Sequence, residues 1–452
     1  MKTIFVSIIS GVEAKNLLRT NVISSLIAQE DIRVVLFVRS RERIAFYEKE
    51  FSHSRLAYEP APDAESGRMW KYFERLRHYL INTRSQKLYK TLAYQDRRNL
   101  IAYIASSLVS AALAHRAIRR LVRALEMALV RDDPFAPYFE KYKPDRVFLA
   151  NLFDGTEVDL LRGAKRRGIS SVGFINSWDK VTSKGFVRLL PDTLLVPNNL
   201  VRDESAALLD VAPAKTAVVG LPQYDMYASS DGLLLREIFF QRIGFDPAKK
   251  LIVVAPAGSS YGSTDRDIVN VLASFGDKGA LKQPFSLVVR FQPNDFVERA
   301  GFPERPWIRY ESPGTRFAAK RGMDWDMNAD ELLHLKNTLA HADLFITYGS
   351  SIGIDAAIYD KPVVMVGFEI NPDKPHLDRP SLRYGTEHIT KALAPGGMRL
   401  VKSSEELALA INEYFEAPAR DREGRQKLVA EQCGEIDGRA GERIASAILA
   451  GM

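Results

Sequence analysis

The sequence predicts an α/β protein built from two doubly wound parallel sheets. Three observations carry this. Runs rich in β-branched and aromatic residues alternate with helical stretches from the first residues onward. The alternation is interrupted once, by a basic helical segment. It then restarts as a second series after residue 249. At 452 residues the chain is long for one domain, and two is the better expectation.

The first series opens with "TIFVSII" (residues 3–9) and "RVVLFV" (33–38), with the helical "AKNLLRTNVISSLIAQ" between them. A strand, a glycine-containing loop, a helix and a second strand make a parallel unit. Residues from about 65 to 133 break the pattern and read as helices. Alternation resumes with "DRVFLA", the helical "GTEVDLLRGAKRRG", "SSVGFIN", "DTLLVP" and "KTAVVG". After "GLPQYDMY" and a helical stretch, a new series runs through "KLIVVAPAG", "FSLVVRFQP", "WIRYES", "DLFITY" and "PVVMVGF". The seam falls between residues 227 and 249. The expected organisation is a Rossmann-like domain at 1–227 with the insert inside it, a linker at 228–248, and a second Rossmann-like domain at 249–430. A helical tail at 431–452 has the first domain as its candidate packing partner. Ligands of such proteins are expected in the cleft between the domains.

Composition narrows the function classes. The chain is 46% hydrophobic and 26% charged, which supplies a full core with a soluble surface. The lone cysteine, Cys433, excludes an internal disulfide and a cysteine-rich metal site. No secretory signal is read in "KTIFVSII", and no apolar run reaches the ~20 residues that span a bilayer. A cytoplasmic home is expected. The net charge of +7 is unevenly placed: residues 67 to 131 hold 14 Lys/Arg against 3 Asp/Glu, or +11, leaving 7 − 11 = −4 elsewhere. Such a segment is attracted to an anionic surface. Within it, "LIAYIASSLVSAALA" (100–114) is too short to span a membrane. It reads as a buried helix or as a membrane-surface contact. Arg116, Arg119, Arg120 and Arg123 recur at three- and four-residue spacing, so one helix face carries them and is a candidate for an anionic bilayer.

"TYGSSIGIDAAIYDKPVVMVGF" (347–368) holds a βαβ unit whose loop lies at the carboxyl end of a strand, where open parallel sheets bind ligands. Gly349 allows the turn. Ser350 or Ser351 can cap the helix and present amides and hydroxyls to a phosphate, or simply cap it. "SSIGIDAAIYDKPVV" resembles the donor-domain signature of the CDP-glycerol glycerophosphotransferase and related surface-polysaccharide transferase families. There, a Ser-Ser pair opens a helix, an Asp follows four residues after the second Ser, and Lys-Pro starts the next strand. "VVRFQP" resembles the same families' strand ending in His-Pro, with Gln292 in place of the His. A charged or acid–base role for that His cannot carry over to a neutral amide. "INSWDKVTSKG", "VVGLPQYD" and "GEIDGRAGERIASAI" resemble bacterial proteins grouped with those transferases. The resemblance covers most of the chain outside the basic insert and implies a GT-B fold. The first domain would then be the acceptor domain and the second the nucleotide-donor domain.

The resemblance implies a leaving group that is a nucleoside phosphate or diphosphate, and donors aimed at its growing charge accelerate transfer. Ser350, Ser351 and Gly349 are the leading candidates. Asp355 would contact ribose or the acceptor side, or serve as a helix–loop tie. Gly258, Ser259, Ser260 and Tyr261, in a second Gly/Ser-rich loop, would add amides and hydroxyls. Arg290 would pair with phosphate or form a structural ion pair; Gln292 keeps a hydrogen-bond donor. Glu13, Asp154 and Asp179 are candidate general bases, each with a cap or loop role as the plainer reading. Trp178 would stack on an acceptor sugar.

No metal is expected: "DWD" (324–326) precedes a helix that Asp or Asn caps readily, and the His residues show no ligand spacing. Neither a Walker A sequence nor a Gly-x-Gly-x-x-Gly after the first strand is present. No cofactor is expected, the UDP-, CDP- or CMP-linked donor being a substrate. The expected function is transfer of a sugar or polyol phosphate to a cell-surface glycan or lipid-linked acceptor, at the inner face of a membrane. An anionic membrane surface is a candidate partner and nucleic acid is not. The alternatives are a nucleotide-sugar 2-epimerase of the same fold and a non-catalytic glycan-assembly protein.

Overall fold

The computed structural model describes residues 1–63, 67–317, 322 and 324–452. The chain divides into two compact units. The first comprises Met1–Lys90, Asn99–Ala228 and Gly434–Met452; the second comprises Thr91–Arg98 and Ser229–Cys433.

The first unit is built on seven strands: β1 (Lys2–Ile8), β2 (Ile32–Val38), β3 (Leu56–Pro60), β4 (Arg146–Leu149), β5 (Ser170–Phe174), β6 (Thr193–Val196) and β7 (Thr216–Val218). Their spatial order is β3-β2-β1-β4-β5-β6-β7, and every neighbouring pair is parallel. Strands covered on both faces read as nearly unbroken apolar runs, as β1 and β2 do, with all but Lys2 and Arg33 buried. Phe5, Phe37, Phe135 and Phe139 meet in one core, the Phe5 and Phe37 rings 4.9 Å apart and edge to face. The helix Ala440–Leu449, from the far end of the sequence, completes this unit. Asp225 caps its start, accepting from the amides of Ala440 (3.0 Å) and Gly441 (2.8 Å). Arg146 holds its end through the carbonyls of Ile448 and Ala450.

The second unit repeats the plan with β8 (Lys250–Ala255), β9 (Phe285–Arg290), β10 (Ile308–Glu311), a short antiparallel pair β11 (Thr315–Arg316) and β12 (Trp325–Asp326), then β13 (Leu344–Thr347), β14 (Val363–Val366) and β15 (Arg399–Val401). The parallel sheet has the order β10-β9-β8-β13-β14-β15. In both sheets the chain starts in the middle, builds outward one way, then crosses back. This leaves a reversal point between β1 and β4 in one sheet and between β8 and β13 in the other.

The insert holds the helices Arg68–Leu76, Arg84–Arg97, Leu100–Leu113 and Arg116–Leu129; residue 65, its expected start, lies outside the described residues. Two expectations are corrected here. The apolar helix Leu100–Leu113 is not buried: Ile101 is 83% exposed and Leu108 65%, while Ser110 has no exposed surface. The arginine face of Arg116–Leu129 is also split: Arg116 and Arg120 are exposed, while Arg119 and Arg123 turn inward. Arg119 forks onto Asp210 at 2.9 and 2.5 Å, and Arg123 lies 4.1 Å over the Phe186 ring and donates to the Leu209 carbonyl at 2.8 Å. The Asp210 carboxylate is nearly sealed from water, and a sealed charge draws cations to itself. Among the described residues no single helix is long and apolar enough to cross a membrane.

Candidate functional site

At the reversal point of the first sheet, the loops after β1, β4 and β5 bring together a polar cluster. Ser10 caps the helix Gly11–Leu17, and Glu13 closes a capping box by accepting from the Ser10 amide at 2.6 Å and from its hydroxyl. The other Glu13 oxygen accepts from the Asn176 side-chain amide at 3.2 Å. Glu157, buried in the helix after β4, accepts from the Ser7 hydroxyl and the Asn151 amide, each at 2.7 Å. Lys180 donates to the side-chain oxygens of Asn151 (2.7 Å) and Asn176 (2.5 Å).

Burial pushes Glu157 well above the usual carboxylate range, and the neighbouring Glu13 charge adds to the rise. Burial likewise holds Lys180 below the usual ammonium range. A carboxyl raised and an amine lowered are brought closer in proton affinity, which is what acid–base chemistry near neutral pH requires.

The three expected bases fall differently. Glu13 is fully buried with both oxygens engaged, so it is placed to hold Asn176 rather than to touch an acceptor. Asp154 caps the helix Gly155–Arg166 through the Thr156 amide at 2.8 Å, and burial raises its pKa. Asp179 accepts from the Ser177 hydroxyl at 2.5 Å and, with Trp178, is half-buried. Lys180, Glu157, Asn151 and Asn176 were not expected. Lys180 and Glu157 each sit within three residues of an expected base, and both loops follow strands at the sheet's centre; that topology was the missing signal.

In the second unit, the loops after β8 and β13 flank the reversal point. The Ala257 and Gly258 amides donate to Asp265 at 2.7 and 2.8 Å, and the Ser259 amide to Asp295 at 2.6 Å. The Ser259 hydroxyl also goes to Asp295. These donors, expected to cradle phosphate, are already taken by carboxylates, and the expectation for Gly258 and Ser259 is corrected accordingly. Burial pushes Asp265 up to about 6, with Asp295 adding to the rise against the pull of the two amides. Ser260 is exposed. Tyr261 lies under the Arg383 guanidinium, 4.9 Å from the ring centre. Lys374 donates to the Thr264 hydroxyl at 2.7 Å, close to the Tyr261 carbonyl at 3.4 Å. Lys374 and Arg383 are thus two cations held against this loop, and neither is among the candidates that the sequence offers.

Across the reversal point, Gly349 takes a φ of +87°, where an added Cβ would stand 3.0 Å from Ile389. Ser351 occupies the N-cap of the helix Ile352–Ile358, but its side chain makes no capping bond, contrary to expectation. Ser350 is half-buried and Ser351 exposed, so their hydroxyls remain available to a ligand. Asp355 faces inward, 6% exposed, one turn along. Arg290 forms the structural ion pair that is the alternative to a phosphate contact: it donates to Glu311 at 2.8 Å, and His334 lies 2.9 Å from the other Glu311 oxygen. Gln292 points its amide back at the Ala257 and Pro256 carbonyls (3.2 and 3.4 Å), stapling the ends of β9 and β8.

No family model and no curated protein matches the chain. Solved structures match it throughout. The UDP-GlcNAc 2-epimerase from Neisseria meningitidis, with UDP-GlcNAc bound, aligns with a TM-score of 0.55 at 14% identity, covering 99% of this chain and 100% of that one. The S. aureus MnaA–UDP structure gives 0.56 at 11% identity, covering 99% and 96%. The wall teichoic acid polymerase TagF gives 0.51 at 12% identity, covering 99% and 88%. At such identities the likeness speaks for fold alone. The chain has the two-domain α/β architecture of the GT-B type; its narrower likeness to CDP-glycerol glycerophosphotransferases rests on sequence motifs.

Proposed function

We propose that the protein is an enzyme acting on a nucleotide-activated sugar, and that its reaction is a 2-epimerisation. The single observation behind this is the cluster of half-buried Lys180 with buried Glu157, Asn151, Asn176 and Glu13 at the centre of the first sheet. Inverting a ring carbon moves a proton off one face and onto the other, and groups with convergent proton affinities serve that exchange. The similarity to UDP-GlcNAc 2-epimerases supports the reading and makes a UDP-sugar the first substrate to try. Within the second unit, the Ser350–Ser351 turn, with Gly349 behind it, is the candidate phosphate contact for this reading and the next.

Transfer of a sugar or polyol phosphate to a glycan or lipid-linked acceptor is the second reading. Its support is the Ser-Ser-…-Asp355 signature, which the epimerases do not share. Incubation with UDP-GlcNAc in the absence of any acceptor separates them. The expected result is a C2 epimer visible by proton NMR. Unchanged sugar, with turnover restored only by an added acceptor, would favour transfer. A thermal-shift series with UDP, CDP, CMP, GDP and dTDP tests the broader claim, since ligand at 100 times its Kd stabilises the fold by about 2.7 kcal/mol. No shift with any nucleotide would point to a non-catalytic assembly protein.

A further inference from the structure

Two consecutive helices of the first unit are inside out. Leu100–Leu113 turns its serines toward the protein: Ser110 is buried and Lys90 reaches across to its hydroxyl and to the Ser106 carbonyl. Its exposed stripe is Ile101, Ile104, Leu108 and Val109. Arg116–Leu129 does the same. It spends Arg119, Arg123 and Glu126 on interior ion pairs and sets Leu121, Leu125 and Leu129 in solvent at four-residue spacing. A water-facing helix has the opposite arrangement. Apolar stripes exposed on two successive helices mark a place where something else binds.

We propose that this helix pair is a docking surface for a bilayer carrying anionic lipid. The charge around it selects that occupant. Between residues 97 and 131 the one acidic residue, Glu126, is buried against Arg162 and Arg188, so this stretch itself exposes no carboxylate. Exposed basic residues accompany the apolar stripe of the second helix: Arg116 and Arg120. A second copy of the chain would set these arginines against their equivalents across a two-fold axis, which repels. An anionic bilayer takes both the apolar stripe and the basic residues that accompany it. Each helix has 14 residues. At ~1.5 Å per residue that is about 21 Å. This is too short for the ~30 Å hydrocarbon layer, and the 90° bend between the helices breaks the pair as a span, which sets them in the interface rather than across it.

The full chain is sedimented with phosphatidylcholine vesicles, with and without phosphatidylglycerol, and without nucleotide, so the outcome is independent of the sugar reading. It should pellet with the anionic vesicles and less so at high salt. The variant Ile101→Gln, Ile104→Gln, Leu108→Gln, Leu121→Gln, Leu125→Gln should keep the wild-type Tm, because these side chains already face water, yet bind at least ~tenfold more weakly. Cys433 is buried and is the chain's single cysteine, so Ile104→Cys accepts one polarity-sensitive dye, whose emission should shift to the blue on adding anionic vesicles. Three outcomes overturn the proposal: wild type left in the supernatant, the glutamine variant bound as tightly as wild type, or a wild-type dimer that the variant fails to form.

Discussion

The Lys180 ammonium lies 2.5 Å from the side-chain oxygen of Asn176, whose amide nitrogen in turn donates to Glu13 at 3.2 Å. A cation is thus solvated by neutral amides, with the nearest carboxylates one hydrogen bond further off. Burial is what keeps the lysine's proton affinity low, and the charges of Glu13, Asp179 and Glu157 pull against it only in part.

Replacing Lys180 by Met should lower turnover of a UDP-sugar by roughly 10²-fold or more, the usual weight of a positioned acid or base. Stability gives an independent readout. Because the folded-state pKa is lowered, the native chain binds fewer protons than the unfolded one as pH rises through that pKa. Wild-type stability therefore gains a rising contribution toward the unfolded lysine value of 10.5. Thermal melts of Lys180→Met on the alkaline side should lack that rise; parallel curves for the two proteins would show that Lys180 is not titrating in the fold.

The Ser350→Ala, Ser351→Ala double variant should fold normally, since neither hydroxyl caps the helix behind it. Nucleotide affinity should fall at least ~tenfold, about 1.4 kcal/mol, as two hydrogen bonds to charged oxygens are lost. Equal titration curves for wild type and variant would remove the phosphate from this turn.

Glu311 is the acid-sensitive joint of the second unit. Burial opposes its charge, but His334 and Arg290 outweigh that and hold it at about 2, against an ordinary 4.5. A lowered carboxylate stabilises the fold above its unfolded pKa, and the contribution disappears as pH falls from 4.5 to about 2. The 2.5-unit difference corresponds to about 3 kcal/mol. Glu311→Gln should destabilise the protein by a similar amount at pH 7, because Arg290 is left buried without its partner. It should also flatten the acid limb of stability against pH. Wild-type steepness in that limb would mean other carboxylates dominate it.

Asp210 sits in a left-handed conformation, φ 63°, while it gathers Arg119 and Arg123. Asp210→Ala combines unfavourable backbone geometry with two stranded guanidinium groups and should cost about 3–5 kcal/mol. Asp210→Asn, which tolerates the conformation and keeps an acceptor, should cost less. Hydrogen exchange should quicken first in the helix Arg116–Leu129; uniform quickening throughout the first unit would argue against a local clasp.

The central strands were readable because burial on both faces leaves little but valine, isoleucine, leucine and phenylalanine. β1, β2, β13 and β14 lie within a residue or two of their expected limits. β3 was not read: it is half-buried throughout and ends in Pro60, so it shows neither a solid apolar run nor an alternation. β15, three residues long, carries too little pattern to see. The site was legible as loops but not as partnerships. Nothing in "APAGSS" indicates that its amides are satisfied by Asp265 and Asp295, because those bonds depend on how the following helix and the β9 loop return to the strand. The insert misled for a related reason. Apolar composition says that a helix avoids water, and only packing reveals that its serines, not its isoleucines, face the protein.

The helix Ala440–Leu449 belongs to the first unit although the whole of the second unit precedes it in the chain. During synthesis the unit that emerges first is therefore the one that finishes last. Its central strands leave the ribosome early, yet the Asp225 and Arg146 anchors wait for a partner that lies downstream of β15. The second unit has every residue it needs beforehand. The half of the molecule that carries the polar cluster is thus the half most exposed, for most of translation, to chaperones and proteases.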